Sequence, residues 1–219
     1  LNVKKLIHTS TSEVYGSAKF IPITEEHPLN GQSPYAASKI AADQIANSYH
    51  LSYGIPLITL RPFNTFGPRQ SLRAIIPTII SQILNNAKII KLGDLKPTRD
   101  FLYVSDTVSA FVSALNSNKM NGETINIGSG SEISVKNLTQ LILKAVNKSI
   151  KVKSEDVRKR PNRSEVKRLC CSNKKALKIL KWKPRYHGNK GMILGLKETI
   201  DWFKIKENLR QYKSKKFVV

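Results

Sequence analysis

Two short stretches hold most of the side chains able to do chemistry. The run Thr9-Ser10-Thr11-Ser12-Glu13-Val14-Tyr15-Gly16 sets hydroxyls and a carboxylate directly behind an apolar, strand-like segment. Polar residues at the carboxyl edge of a parallel strand lie where α/β sheets bind their ligands. With an extended backbone carried past Thr9, Thr11 and Glu13 point to the same side, because side chains alternate along a strand. Further along stands Tyr35-Ala36-Ala37-Ser38-Lys39, whose Tyr35 and Lys39 share a helix face. A phenol is a poor base at neutral pH, and an ammonium one helical turn away favours its ionised form. Alone, Tyr-x-x-x-Lys is common by chance as a solvent-facing pair. Behind a strand ending Thr-Ser-Glu-Val-Tyr-Gly it predicts a site of proton transfer.

The elements that must position these groups follow from periodicity and breakers. Residues 3–9 predict a buried strand. Residues 33–53 predict a helix, with Ser33 as N-cap, Pro34 in the first turn and Gly54-Ile55-Pro56 as the stop. Its small and apolar positions Ala37, Ala41, Ile45 and Ser48 fall on one face, predicting close packing of that face on a sheet. Residues 56–63 predict a second buried strand, bounded by Gly67-Pro68. Beyond it, helices are predicted over 74–86, 106–116, 134–146, 173–180 and 191–206, with Asp106 near the start of its helix. Short strands are predicted over 88–92, 100–104, 124–127 and 150–153. This alternation predicts an α/β architecture with a parallel sheet, and a smaller α+β portion after about residue 68. The expected division is 1–68 for the sheet portion, to which later segments return, 69–206 for the smaller portion, and a frayed basic tail over 207–219.

Composition narrows the class. The chain has 219 residues, 40% hydrophobic and 24% charged, which is ordinary for a globular protein, and no stretch suits a membrane span or a signal peptide. The neighbouring Cys170 and Cys171 suit a reduced, cytoplasmic setting and make a poor staple. His8, His27, His50 and His187 lack metal-site spacing, so no metal is expected. The net charge of +22 is spread along the chain, with clusters at Arg158-Lys159-Arg160 and Lys213 to Lys216. No concentrated patch with stacking aromatics and no recognition module accompanies it, so nucleic acid is not expected as a partner. A solvated lysine-rich surface, with a few arginines for a polyanionic ligand, is the simpler reading. The chain opens on Leu1 directly into a strand-like run, which reads as the interior of a longer sequence.

Several further blocks stand in order behind the first two: Arg61-Pro62-Phe63-Asn64-Thr65-Phe66-Gly67-Pro68-Arg69, Arg99-Asp100-Phe101-Leu102-Tyr103-Val104, Asn126-Ile127-Gly128 and Trp182-Lys183-Pro184. With them the chain resembles the extended short-chain dehydrogenase/reductase family, within its nucleotide-sugar epimerases and dehydratases. The resemblance implies a Rossmann-type parallel sheet with a substrate-binding domain, NAD or NADP as cofactor, a nucleotide-diphosphate sugar as substrate and a homodimer. It matches Tyr35 to the base that takes the sugar 4-hydroxyl proton, Lys39 to the lysine on the nicotinamide ribose, and Thr11 to the hydroxyl on the reacting oxygen. Glu13 matches the carboxylate that removes the C5 proton in 4,6-dehydratases. Ser12 stands where many dehydratases carry an aspartate acid, so either Glu13 serves both transfers or Ser12 relays through water. Asn64, Arg99 and Arg160 match substrate-binding residues near the phosphates, where a guanidinium fork suits paired oxygens. Ser164-Glu165-Val166 resembles a family block without an assigned role.

Thr-Ser-Glu-Val-Tyr-Gly also occurs in the nucleotide-glucuronate decarboxylases of the family, and C4 epimerases share the tyrosine and lysine. The contexts 31–39 and 69–77 resemble more closely the N-acetylhexosamine-nucleotide 4,6-dehydratases of the legionaminic-acid type. The family's Gly-x-x-Gly-x-x-Gly turn, which brings backbone amides to the cofactor pyrophosphate, is not found. Gly188, Gly191 and Gly195 come nearest, with a last spacing one residue too long. The expectation is therefore a dehydratase portion that is inactive alone. A binding fragment without catalysis is the alternative from another class.

Overall fold

The computed structural model describes residues 3–118, 122–161 and 163–212. The opening Leu1 and the cluster Lys213 to Lys216 lie outside the described residues. In chain order the elements are β1 (Leu6–Thr9), α1 (Pro34–Tyr53), β2 (Leu57–Pro62), β3 (Asn64–Phe66), α2 (Ile75–Leu84), β4 (Ile89–Leu92), β5 (Thr98–Arg99) and β6 (Phe101–Tyr103). Then follow α3 (Val104–Asn116), β7 (Glu123–Ile127), β8 (Ile133–Ser134), α4 (Val135–Ala145), β9 (Lys151–Ser154), α5 (Lys174–Leu180), α6 (Gly188–Lys204) and α7 (Lys206–Arg210).

A parallel sheet in the order β1-β2-β7 carries the site. Its register sets Thr9 opposite Leu60 and Pro62 opposite Ile127, so the carboxyl ends of all three strands share one edge. Alternation along β2 assigns its two faces. Ile58 and Leu60 enter an apolar cluster with Ala110 and Ala114 of α3 and with Ala176 and Leu180 of α5. Arg61, of opposite parity, bonds to Asp43 on α1. Helices therefore cover both faces, giving the α/β layering of a Rossmann-like sheet.

The chain after β2 builds a second core. Ile76, Ile79, Ile80 and Ile83 of α2 pack with Leu138 and Ile142 of α4 and with Leu196, Ile200 and Phe203 of α6. Full burial of each such side chain stabilises by about 1.5–3 kcal/mol. Small strand pairs brace this portion: β3 with β6 and β4 with β9 run parallel, and β5 with β8 antiparallel. Where a frayed tail is expected after residue 206, the chain continues as α7, and Leu209 and Tyr212 pack against the second core. Gly191 and Gly195 belong to packing. A Cβ would stand 2.3 Å from the Tyr186 carbonyl carbon at Gly191 and 2.9 Å from the Phe66 ring at Gly195. Among the described residues no helix is long and apolar enough to cross a membrane.

α1 has the expected ends and a different buried face. The Ser33 side chain accepts from Ala36 N, Pro34 opens the helix, and Gly54 ends it in the left-handed region at φ 66. The face Ala37, Ala41, Ile45 and Ser48, expected against the sheet, is exposed. Ala36 and Asp43 are the buried positions instead. A single charged group decides the rotation, because a carboxylate taken out of water must keep its partners. Asp43 finds three of them, on β1, just past its end and on β2.

Candidate functional site

Those partners bolt α1 to the end of β1. Asp43 accepts from Ser10 Oγ at 2.9 Å and from Arg61 Nε and Nη2 at 3.2 and 2.9 Å, and it meets His8 Nε2 at 2.9 Å. Lys39, one turn earlier, donates from Nζ to the Thr9 carbonyl at 3.1 Å. Positions 8, 9 and 10 are thus all held by the helix that carries Tyr35 and Lys39. Arg61 continues the chain of bonds. Its Nη1 donates to Tyr15 Oη at 2.8 Å, and Tyr15 in turn donates to Asn126 on β7 at 2.7 Å. Burial pushes the Tyr15 phenol up to about 12 against the opposing pull of Arg61. Tyr15 is a structural donor.

The extended path expected for Thr11 to Glu13 is not what forms. Thr11 itself is still extended, at φ -159 and ψ 155, but the backbone turns directly after it and Ser12–Tyr15 form a 3-10 helix. The Thr11 hydroxyl accepts from Glu13 N at 3.3 Å, a local bond that competes with continuation of the strand. Thr11 and Glu13 are therefore placed by a turn, and the parity argument does not apply to them. Ser12 is buried beside them, at 2% exposure.

The turn delivers Glu13 into a cleft of about 280 Å³ at the carboxyl end of the sheet. Asn64, Arg99 and Arg160 line the same cleft, so four of the expected site residues meet there. Glu13 Oε2 lies 3.7 Å from Arg160 Nη1. Arg99 donates to Glu165 Oε1 at 2.9 Å and to its neighbour's carbonyl, Thr98 O, at 2.9 Å. Burial lowers the affinity of Arg99 for its proton, an effect opposed by Glu13 and Glu165. Asn64 donates to the Asp100 carbonyl at 3.4 Å. Thr11, Ser12, Tyr35 and Lys39 are not among the residues lining the cleft. Tyr35 is half exposed in the first turn of α1.

The lining residues not assigned a role from the sequence include Gln70, Arg73 and Glu165. Gln70 and Arg73 stand in the stretch Arg69-Gln70-Ser71-Leu72-Arg73, and Glu165 in Ser164-Glu165-Val166, so the signal was present without a role attached. Asp100 stands between the lining residues Arg99 and Phe101 and is fully buried. Its carboxylate accepts from Ser129 N at 2.7 Å and from Gly130 N and Cys171 N, both at 3.0 Å. This ties β5 and β6 to the turn after β7.

A family model described as GDP-mannose 4,6 dehydratase matches residues 1–193. The human dTDP-D-glucose 4,6-dehydratase is 35% identical, over 97% of this chain and 59% of that protein. A putative UDP-glucose 4-epimerase of Methanocaldococcus jannaschii is 34% identical, over 93% of this chain and 64% of that protein. The chain therefore spans about three fifths of the length of these curated relatives. Among solved structures, the dTDP-glucose 4,6-dehydratase of Bacillus anthracis in complex with NAD superposes with a TM-score of 0.83 at 32% identity, over 93% of this chain and 62% of that one.

Proposed function

The chain belongs to the GDP-mannose 4,6 dehydratase family, and on that premise we propose that it carries the substrate cleft and proton-transfer groups of an NAD(P)-dependent nucleotide-sugar 4,6-dehydratase. The observation that carries this reading is Glu13, a carboxylate turned into a cleft that also holds Arg99 and Arg160. A nucleotide diphosphate needs the arginines, and elimination across C5–C6 needs the carboxylate.

The donor set suits a nicotinamide ribose. The Tyr35 hydroxyl and the Lys39 ammonium stand in the first turns of α1, and Lys39 touches the carboxyl end of β1, where such sheets bind dinucleotides. A bound nicotinamide supplies a hydride acceptor at C4 and a donor at C6. Tyr35 takes the C4 hydroxyl proton, and Thr11 holds the oxygen as it becomes a carbonyl. That carbonyl acidifies C5, whose proton Glu13 removes. The C6 hydroxyl leaves as water with the proton that Glu13 took from C5, directly or relayed by Ser12, and C5 is reprotonated in the final step, balanced by the proton that Tyr35 took from the C4 hydroxyl. Arg99, Arg160 and Asn64 hold the diphosphate. The contexts 31–39 and 69–77 favour an N-acetylhexosamine nucleotide within this class.

C4 epimerisation is the second reading, favoured by the likeness to the Methanocaldococcus jannaschii relative. It uses the same oxidation without elimination. The deciding experiment joins the chain to the glycine-loop portion of a relative and supplies NAD with several nucleotide hexoses. A product lighter by one water, identified by mass spectrometry, supports the dehydratase. An unchanged mass with inverted C4 supports the epimerase, and carbon dioxide released from a glucuronate nucleotide overturns both.

A further inference from the structure

We propose that Gln70 is a substrate-reading residue whose amide oxygen accepts a hydrogen bond from a neutral O–H or N–H donor of the bound nucleotide sugar. The inference rests on the nucleotide-sugar reading above and adds a contact to it. Among the described residues, Gln70 Oε1 is the one buried side-chain oxygen or nitrogen without a hydrogen-bond partner. The orientation of the amide is determined by its other end, which donates from Nε2 to the Thr65 carbonyl at 2.6 Å. Turning the amide over would set two acceptors against each other, so the unpaired atom is the oxygen. Buried polar groups are normally paired, and an exception beside a cleft calls for a partner from outside the chain.

The backbone is shaped to present this residue. Arg69, immediately before it, is a non-glycine residue at φ 65. Gly67 sits so close to α3 that a Cβ would meet Val104 Cγ1 at 2.5 Å. Left-handed backbone at a non-glycine residue is uphill and persists where its surroundings hold it.

The company Gln70 keeps defines what it can read. Arg73, Arg99 and Arg160 of the cleft are donors, suited to phosphate oxygens. Of the acids, Glu165 bonds to Arg99 and Asp94 to the backbone N–H of Lys96, while Glu13, 3.7 Å from Arg160, is assigned to C5 in the reading above. A nucleotide sugar also brings hydroxyls and amide N–H groups, and the buried acceptor left for them is Gln70 Oε1. Gln70 lines the cleft, so a group entering there arrives beside the one unpartnered buried acceptor among the described residues.

Calorimetric titration of the chain tests the assignment. The probes are GDP-mannose, dTDP-glucose and UDP-N-acetylglucosamine, each beside its parent diphosphate, with the unaltered chain, Gln70→Met and Gln70→Leu. Both variants remove the acceptor, Met at similar length and Leu one atom shorter, and affinity is expected to fall roughly 3- to 10-fold. Thermal melting is expected to shift little, because removal of the unpaired oxygen offsets loss of the Nε2 bond to the Thr65 carbonyl. A loss confined to the sugar-bearing ligands puts the donor on the hexose, and one confined to UDP-N-acetylglucosamine makes it the acetamido N–H. An equal loss with the parent diphosphates puts it on the nucleoside. Each of these supports Gln70 as the reader. Unchanged affinity in a variant that melts cooperatively overturns the Gln70 assignment and leaves the nucleotide-sugar reading standing. Failure of the unaltered chain to bind any probe overturns both.

Discussion

Asp43 is the residue whose removal most directly tests how the site is held. Asp43 and Arg61 are each only 5% exposed, and their two bonds of 3.2 and 2.9 Å join α1 to β2. Asp43→Leu leaves the guanidinium buried, with the Tyr15 hydroxyl as its remaining side-chain bond. Breaking a buried pair from one side costs about 3–5 kcal/mol, because the surviving charge stays out of water without compensation. The lost bonds to Ser10 and His8 act in the same direction. Against a total stability of roughly 5–15 kcal/mol this is a large share. With a urea slope of about 2–3 kcal/mol/M for a chain of this size, the unfolding midpoint should fall by about 1–2 M. Urea titration followed by far-UV circular dichroism measures it. The double change Asp43→Leu with Arg61→Met removes both charges and should cost less than the two single changes summed. A single-variant shift below about 0.3 M, or a strictly additive double variant, would refute the view that this pair anchors the helix carrying Tyr35 and Lys39.

The remaining predictions concern chemistry and pH. In the chain joined to the glycine-loop portion of a relative, Tyr35→Phe should abolish C4 oxidation, whereas Glu13→Gln should keep some oxidation and block elimination; single-turnover reduction of NAD separates the steps, and equal loss of both partial reactions argues against separate roles. Arg99→Lys keeps the charge and loses the fork that reaches Glu165 and Thr98 O together, so affinity for a nucleoside diphosphate should fall about tenfold or more; equal calorimetric affinity refutes it. Burial pushes the Asp100 carboxyl from its ordinary 3.8 up to about 6, against the bonds from Ser129, Cys171 and Gly130 that favour its ionised form. Because the folded value is the higher one, the native chain binds a proton that the unfolded chain has released across this window. The stability from this group is thus present below about pH 4 and is lost as pH rises to about 6. Carboxyl carbon NMR should find the Asp100 midpoint near 6; a midpoint near 4 would mean that the three N–H bonds outweigh burial.

Local signals in the sequence were sufficient wherever local physics decides. Ser33, Pro34 and Gly54 bound α1 because caps and breakers act within a turn of themselves. β2 is legible because both faces of the sheet are covered and it opens on the mostly apolar run Leu57-Ile58-Thr59-Leu60, and β7 because Ile125 and Ile127 alternate with Thr124 and Asn126. β3, β5 and β8 are two or three residues long and exist through their partners, so no period announces them. The face of α1 is the more instructive failure. Small and apolar side chains lie on both sides of that helix, so hydropathy leaves its rotation open, and one carboxylate with partners on two strands closes the question. The same holds across the cleft. Arg99 finds its acid at Glu165 and Glu13 finds its arginine at position 160, pairings that no spacing rule reaches. Candidate reactive residues can be named from the sequence because chemistry constrains residue type at short range. What fixes their geometry is a set of charges that must be satisfied once buried, and satisfaction is a property of the folded chain. Gln70 is the converse case. Its neighbours in sequence mark a turn, but only the fold shows that one atom in that turn has been left without a partner.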